Sequence, residues 1–194
     1  MLVDKILDLN IETSDFVSDK DYNRFISICK RMIRQSYEYQ NWTKYIKFTQ
    51  GYDYCQFTRE NAFELTIDLH HHPLSMENIV KTIIDFQLKN NGFVTSYSIT
   101  KEVLENHYDD NIGYVMMISS LHEKYHNGFL KIPIEFAHGN WQNFINKYPI
   151  DPDIIKIVEN FKSYKLFDLM KDNNNNTYNW TNENYILTDG EENR

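Results

Sequence analysis

The spacing of apolar positions predicts helices in several parts of the chain. From residue 19 to about 36, apolar side chains recur every three to four positions, and Ser18 can cap the first turn. A strongly apolar pattern predicts another helix, which begins after Ser75 and ends at Gly92. Further helical patterns cover about 98–107, 119–127, 141–148 and 152–170, while 37–50 suits either a helix or an extended connector.

Other stretches show the alternation or the β-branched composition that is typical of β-strands. Residues 63–69 alternate between apolar and polar side chains, and 112–118 is apolar and partly β-branched. Residues 52–57 are predicted to form a β-hairpin with 62–71. A strand over 129–136 could lie only at a sheet edge, because Pro133 has no N–H to donate. Helices and antiparallel strands together predict the α+β class.

Composition narrows the function classes. The chain has 194 residues, is 41% hydrophobic and carries a formal net charge of -8, which argues against coating nucleic acid through bulk charge. Cys29 and Cys55 are expected to be reduced, as in a cytoplasmic protein. No apolar run is long enough to cross a membrane, and the N-terminus lacks a signal-peptide core. The chain has a high content of Asn, Ile, Tyr and Lys, which is typical of an AT-rich coding sequence, as in many bacteriophages and low-GC bacteria.

The histidines are the main candidates for chemistry, since five of the seven lie in two short pieces. His122 and His126 are four positions apart, so on a helix both rings share one face. At the end of a strand, His70 and His72 face one way and His71 the other. Imidazole is both a common transition-metal ligand and a general base near neutral pH. One ligand and one base from a strand, with two ligands from a helix, would make a one-metal hydrolytic site.

The order of these motifs resembles a known family. A strand ends in Leu-His-His at 69–71, and a later strand leads into His-x-x-x-His-x-Gly at 122–128. This arrangement is similar to the HNH, or ββα-metal, endonucleases, and in motif it is closest to the nuclease domains of DNase colicins. The resemblance implies one divalent metal ion (Zn, Ni, Mn or Mg) held by His70, His122 and His126. It also implies that His71 is the general base that activates water against a DNA phosphodiester.

Other parts of the family pattern match less closely. The family's central Asn, which orients the base, would fall at Gly113, and Asn111 is the nearest candidate. Pro73 follows the histidines one residue early, so a shifted register would make His71 the ligand and His72 the base. No second cysteine accompanies Cys55, which argues against a zinc knuckle.

Polar side chains around the histidines could support binding. Asp68 and Glu123 are candidates to hold the outer ring nitrogens of the ligands. Lys44 and Lys47 lie among aromatic residues, so one interpretation is a small basic, aromatic patch that contacts a nucleic-acid backbone. The alternative is a helix whose aromatic side chains pack on the core while its lysines are solvated.

Together these features predict an HNH-like ββα-metal module with a β-hairpin, embedded in additional helices. The expected divisions are an N-terminal helical region (1–50), the module (51–136) with a helical insertion at about 74–108, C-terminal helices (137–172), and an Asn-rich linker and tail (173–194). We expect a metal-dependent endonuclease whose substrate is DNA in preference to RNA, which acts in the cytoplasm without contact to a membrane. The C-terminal tail is a possible site for a protein partner. The alternative is a catalytically inactive HNH-like phage protein that acts as a DNA- or protein-binding or structural factor.

Overall fold

The computed structural model describes residues 10–63 and 65–163. Their elements, in chain order, are β1 (Ile11–Glu12), a 3-10 turn (Thr13–Asp15), α1 (Asp19–Gln35), α2 (Tyr37–Lys44), a π-helical turn (Tyr45–Thr49), β2 (Ile67–His71), α3 (Met76–Asn91), β3 (Phe93–Val94), α4 (Ser96–Tyr108), β4 (Tyr114–Ile118), α5 (Ser119–His126), a 3-10 turn (Ile134–Phe136), α6 (Trp141–Lys147) and α7 (Pro152–Ser163).

These elements form two compact units, each built from three segments of the chain. Among the described residues, unit 1 comprises 10–42, 74–113 and 139–155, and unit 2 comprises 43–73, 114–138 and 156–163. The predicted helical insertion at about 74–108 lies within the middle segment of unit 1.

Unit 1 is mainly helical, with α1, α3 and α4 packed on one another and a short antiparallel pair of β1 and β3. The Ser18 hydroxyl accepts from the first turn of α1, the Ser75 hydroxyl caps α3, and Gly92 ends α3 with a φ of 78°. The apolar faces meet in a core without solvent exposure, which includes Ile33, Ile79, Ile83, Ile84, Ile99 and Val103. Each such side chain contributes roughly 1.5–3 kcal/mol through burial.

Unit 2 is organised around two antiparallel strands and a helix. β2 pairs with β4, which places His70 opposite Val115 and His71 opposite Tyr114. α5 follows β4 without a loop and packs on both strands. Every residue of β4 is buried, so this strand is the centre of the unit's core.

The α+β class and the helices beginning near 19 and 76 are confirmed by the structure. The predicted β-hairpin is present only near its turn, where Tyr54 and Asn61 form an isolated antiparallel bridge and the Ala62 N–H donates to the Asp53 carbonyl at 2.8 Å. Its pairing along β2 is wrong, because β2 pairs with β4 instead. Gln56 lies on β4 rather than on β2: its N–H donates to the Met116 carbonyl (2.9 Å), and its side-chain oxygen accepts from the Met116 N–H (2.6 Å). Strand pairing is set by such non-local contacts, which a local pattern does not contain.

Smaller differences concern the ends of elements. α5 ends at His126, one residue before the predicted end, and no side chain caps its first turn. Residues 129–136 contain no strand, and their one regular element is the 3-10 turn Ile134–Phe136. The predicted continuation of the last helix to 170 and the tail at 173–194, with its protein partner, lie outside the described residues. No described helix has both the length and the apolar character of a membrane span.

Candidate metal centre

β2 and α5 bring three histidines of unit 2 together. His70 Nδ1 lies 3.1 Å from His122 Nε2, although the two residues are 52 positions apart. One turn further along α5, His126 Nε2 lies 2.9 Å from the same His122 nitrogen. Because α5 packs directly on β2, the shared helix face predicted for His122 and His126 is turned toward the strand.

The spacing of these ring nitrogens suits a small metal ion. Tetrahedral zinc, with Zn–N bonds of about 2.0–2.1 Å, holds its ligand nitrogens roughly 3.3–3.4 Å apart. One nitrogen from each of His70, His122 and His126 lies within 4.8 Å of the others, and they form the one such group found in 10–63 and 65–163. The two contacts to His122 are a few tenths of an ångström shorter than this zinc spacing, and His70 and His126 lie within 4.8 Å of each other, so the three rings face a common point at which one ion could bind.

The environment of His70 keeps its ring neutral. Burial, followed by repulsion from His122, His126 and His72, lowers the pKa of His70 to about 3. A neutral imidazole has the lone pair that metal coordination requires. The Tyr125 ring, whose centroid lies 4.4 Å from that of His70, covers this histidine. No motif predicted a role for Tyr125, and its position just before His126 was the one available clue.

A carboxylate lies next to the His122 ring, on the side that faces away from the other two histidines. Asp68 Oδ2 lies 3.2 Å from His122 Nδ1, on the side of the ring away from the cluster. Of the two acidic candidates for this position, the structure places Asp68 there, while Glu123 is exposed. His70 Nε2 is buried and has no hydrogen-bond partner within the described part of the chain.

The two histidines that follow His70 have different surroundings. His71 is buried and pairs with Tyr114, so strand alternation directs its side chain to the face opposite His70. His72 is fully buried, with its ring edge-on to Phe161 at 4.6 Å between centroids. Burial lowers the pKa of His72 to about 4; the nearby Pro133 carbonyl offsets part of this shift without forming a hydrogen bond of ordinary geometry.

The remaining predicted site residues are not part of the three-histidine group. Asn111 belongs to unit 1, where its amide donates to Asn106 Oδ1 at 3.5 Å. Lys47 is half-buried, and its ammonium donates to the Ile67 carbonyl of β2, so this charge is engaged within unit 2. Lys44, at the end of α2, is exposed.

These observations define an α+β protein in which a buried histidine of β2 meets two histidines of α5. The chain matches the family model described as Bacteriophage G278-like virion protein over residues 3–187, and it belongs to that family. This match supports the predicted bacteriophage origin. No curated protein and no solved structure shows significant similarity to the chain.

Proposed function

We propose that the chain is a bacteriophage virion component in which unit 2 binds one divalent transition-metal ion through His70, His122 and His126. The observation that carries this proposal is the convergence of three ring nitrogens, with distances of 3.1 and 2.9 Å. Both contacts converge on His122 Nε2, and a ring nitrogen either donates one proton or offers one lone pair, so this atom can form only one well-aligned hydrogen bond with its two neighbours. A metal ion would accept all three lone pairs at once.

A metal ion at this position would join two distant parts of the chain. His70 lies on β2 and the other two ligands lie on α5, and about fifty residues separate them. An ion that binds only the folded arrangement stabilises it by mass action and closes a long loop. This role suits a virion protein, which must persist outside the cell.

The ligand chemistry favours some metals over others. An all-imidazole set suits zinc, nickel, copper or iron, whereas magnesium prefers carboxylates, phosphates and water. Of the four metals that the sequence left open, we therefore favour zinc or nickel over manganese or magnesium.

Metal content of the purified full-length chain tests this proposal. After dialysis against zinc and then against metal-free buffer, elemental analysis should find about one ion per chain in the wild type. His122→Ala should retain little. His138→Ala is the matched control, because His138 also lies in unit 2 but outside the three-histidine group. Equal zinc in wild type and His122→Ala would contradict the proposal.

A second candidate function is metal-dependent hydrolysis of phosphodiester bonds in DNA. Its support is the strand–strand–helix order of β2, β4 and α5 with histidines at the positions of the HNH motif. In addition, His126 is exposed, so a bound ion would keep positions open to a substrate, as catalytic zinc sites do.

Plasmid nicking with zinc, nickel, manganese or magnesium tests the second candidate. In this candidate His71 is the general base, so His71→Ala should lose about 10²–10⁴-fold in rate. Lys44→Ala would weaken DNA binding if this exposed lysine contacts phosphate. Lys47→Ala would show whether the lysine that is bound to β2 also contributes to DNA binding. If the wild type nicks neither DNA nor RNA with any of the four metals, the virion role stands without the enzymatic one.

A further inference from the structure

We propose that Asp68 is the positioning residue of the histidine cluster, and that it makes Nε2 the ligand atom of His122. This inference rests on the proposed metal site and deepens it. The carboxylate holds the ring proton of His122 on Nδ1, so the lone pair of Nε2 points into the cluster.

Strand geometry places Asp68 for this task. Asp68 and His70 are two positions apart on β2, so their side chains lie on the same face of the strand. α5 packs on that strand and carries His122 between them. Asp68 Oδ2 then lies 3.2 Å from Nδ1 of the ring, and His70 Nδ1 lies 3.1 Å from Nε2 on its other side.

The direction of the proton follows from the chemistry of the two groups. An ionised carboxylate can only accept a hydrogen bond, so the nitrogen that faces it must carry the proton. A neutral imidazole has one N–H, and His122 Nε2 is therefore a bare acceptor. That atom is the one shared by both short contacts of the cluster. A carboxylate behind a ligating imidazole also fixes the ring orientation and raises its basicity.

Metal affinity provides the first test, with three variants of the full-length chain. Zinc competition titrations should show Asp68→Ala weakened by about 10–100-fold, the usual effect of removing such a partner. Asp68→Asn keeps an acceptor oxygen and loses the charge, so its affinity should lie between those of the wild type and Asp68→Ala. Glu123→Gln is the matched control, because it removes one negative charge from the residue beside His122 and should change affinity by less than about twofold.

Nitrogen NMR of the ring provides a second readout that needs no metal. In EDTA, above the ordinary pKa of histidine, we expect His122 to show the Nδ1–H tautomer in the wild type and in Asp68→Asn. In Asp68→Ala, the Nε2–H tautomer should become prominent. A residue that served only the fold would change thermal stability without changing this tautomer.

The outcomes separate the inference from the proposed function. If the wild type binds zinc and Asp68→Ala binds it equally well, or if Glu123→Gln loses as much as Asp68→Ala, the role of Asp68 is wrong and the metal site stands. If His122 shows the Nδ1–H tautomer but the wild type binds no metal, the tautomer assignment is supported and the proposed metal site is contradicted. A His122 tautomer that is the same in the wild type and Asp68→Ala would overturn the inference.

Discussion

His70 and His122 face each other across β2 and α5, with 3.1 Å between Nδ1 of the first ring and Nε2 of the second. Since neither element alone holds more than part of the cluster, the site exists only when unit 2 is folded. Metal binding and folding should therefore be coupled.

This coupling predicts a metal-dependent melting temperature. With free zinc at about 100 times the Kd, binding adds about 2.7 kcal/mol, which raises Tm by roughly 5–10 °C for a chain of this size. In His122→Ala the increase should nearly vanish, whereas His138→Ala should keep it. Scanning fluorimetry with zinc and with EDTA measures both. An equal increase in the two variants would show that zinc stabilises the chain elsewhere.

Neighbouring histidines on β2 should behave differently, because strand alternation directs them to opposite faces. His70→Ala should lose the metal, while His71→Ala should bind it as the wild type does. Isothermal titration with zinc or nickel compares the two. The shifted register, in which His71 is the ligand and His72 the base, requires the reverse result.

The low pKa of a buried histidine in unit 1 predicts that the folded chain loses stability in acid. Burial lowers the pKa of His107 from 6.5 to about 4, although the Val103 carbonyl, 2.7 Å from Nδ1, partly opposes this shift. Between these two pH values the unfolded chain binds a proton that the folded chain does not, so stability falls as the pH falls from 6.5 to about 4. The contribution to the slope approaches about 1.4 kcal/mol per pH unit.

Denaturant unfolding in EDTA measures this slope without metal binding. His107→Gln removes the titrating ring from its place beside Trp42, where the ring centroids are 4.6 Å apart. The variant should be less stable overall, with a shallower dependence on pH between 4 and 6.5. A slope equal to that of the wild type would assign the acid sensitivity to other groups.

Helix capping provides a further prediction for unit 1. The Ser75 hydroxyl accepts from the Asn78 N–H at 3.1 Å, so Ser75→Ala should lower the free energy of unfolding by about 1 kcal/mol. Ser120→Ala is the control, because no serine side chain caps α5 and Ser120 is exposed. Its effect should stay within about 0.5 kcal/mol. Chemical denaturation compares the two, and equal losses would argue against the cap.

Local signals allowed much of the fold to be predicted. The helix that begins after Ser18 and the helix between Ser75 and Gly92 were found from apolar spacing and caps, which depend on nearby residues alone. The partner of β2 was missed, because a strand pattern identifies a strand but not its neighbour. The segment predicted to pair with β2 instead places Gln56 on β4.

The histidine cluster was predictable to a similar degree. The spacing of His122 and His126 places both on one helix face, and this follows from the sequence. The approach of His70 to that face came from the resemblance to HNH endonucleases, since local periodicity carries no information about contacts 52 residues apart. Asp68 was one of two acidic candidates until the packing of α5 on β2 distinguished it from Glu123.

X-ray absorption spectroscopy of the zinc-loaded chain tests the central claim most directly. We expect a first shell of light atoms at about 2.0–2.1 Å, with the outer-shell scattering of three imidazole rings that falls to two in His126→Ala. A sulfur scatterer at about 2.3 Å, which would point to Cys29 or Cys55, would contradict the three-histidine site. A wild-type spectrum with fewer than three imidazole rings, or a count that does not fall in His126→Ala, would contradict it as well.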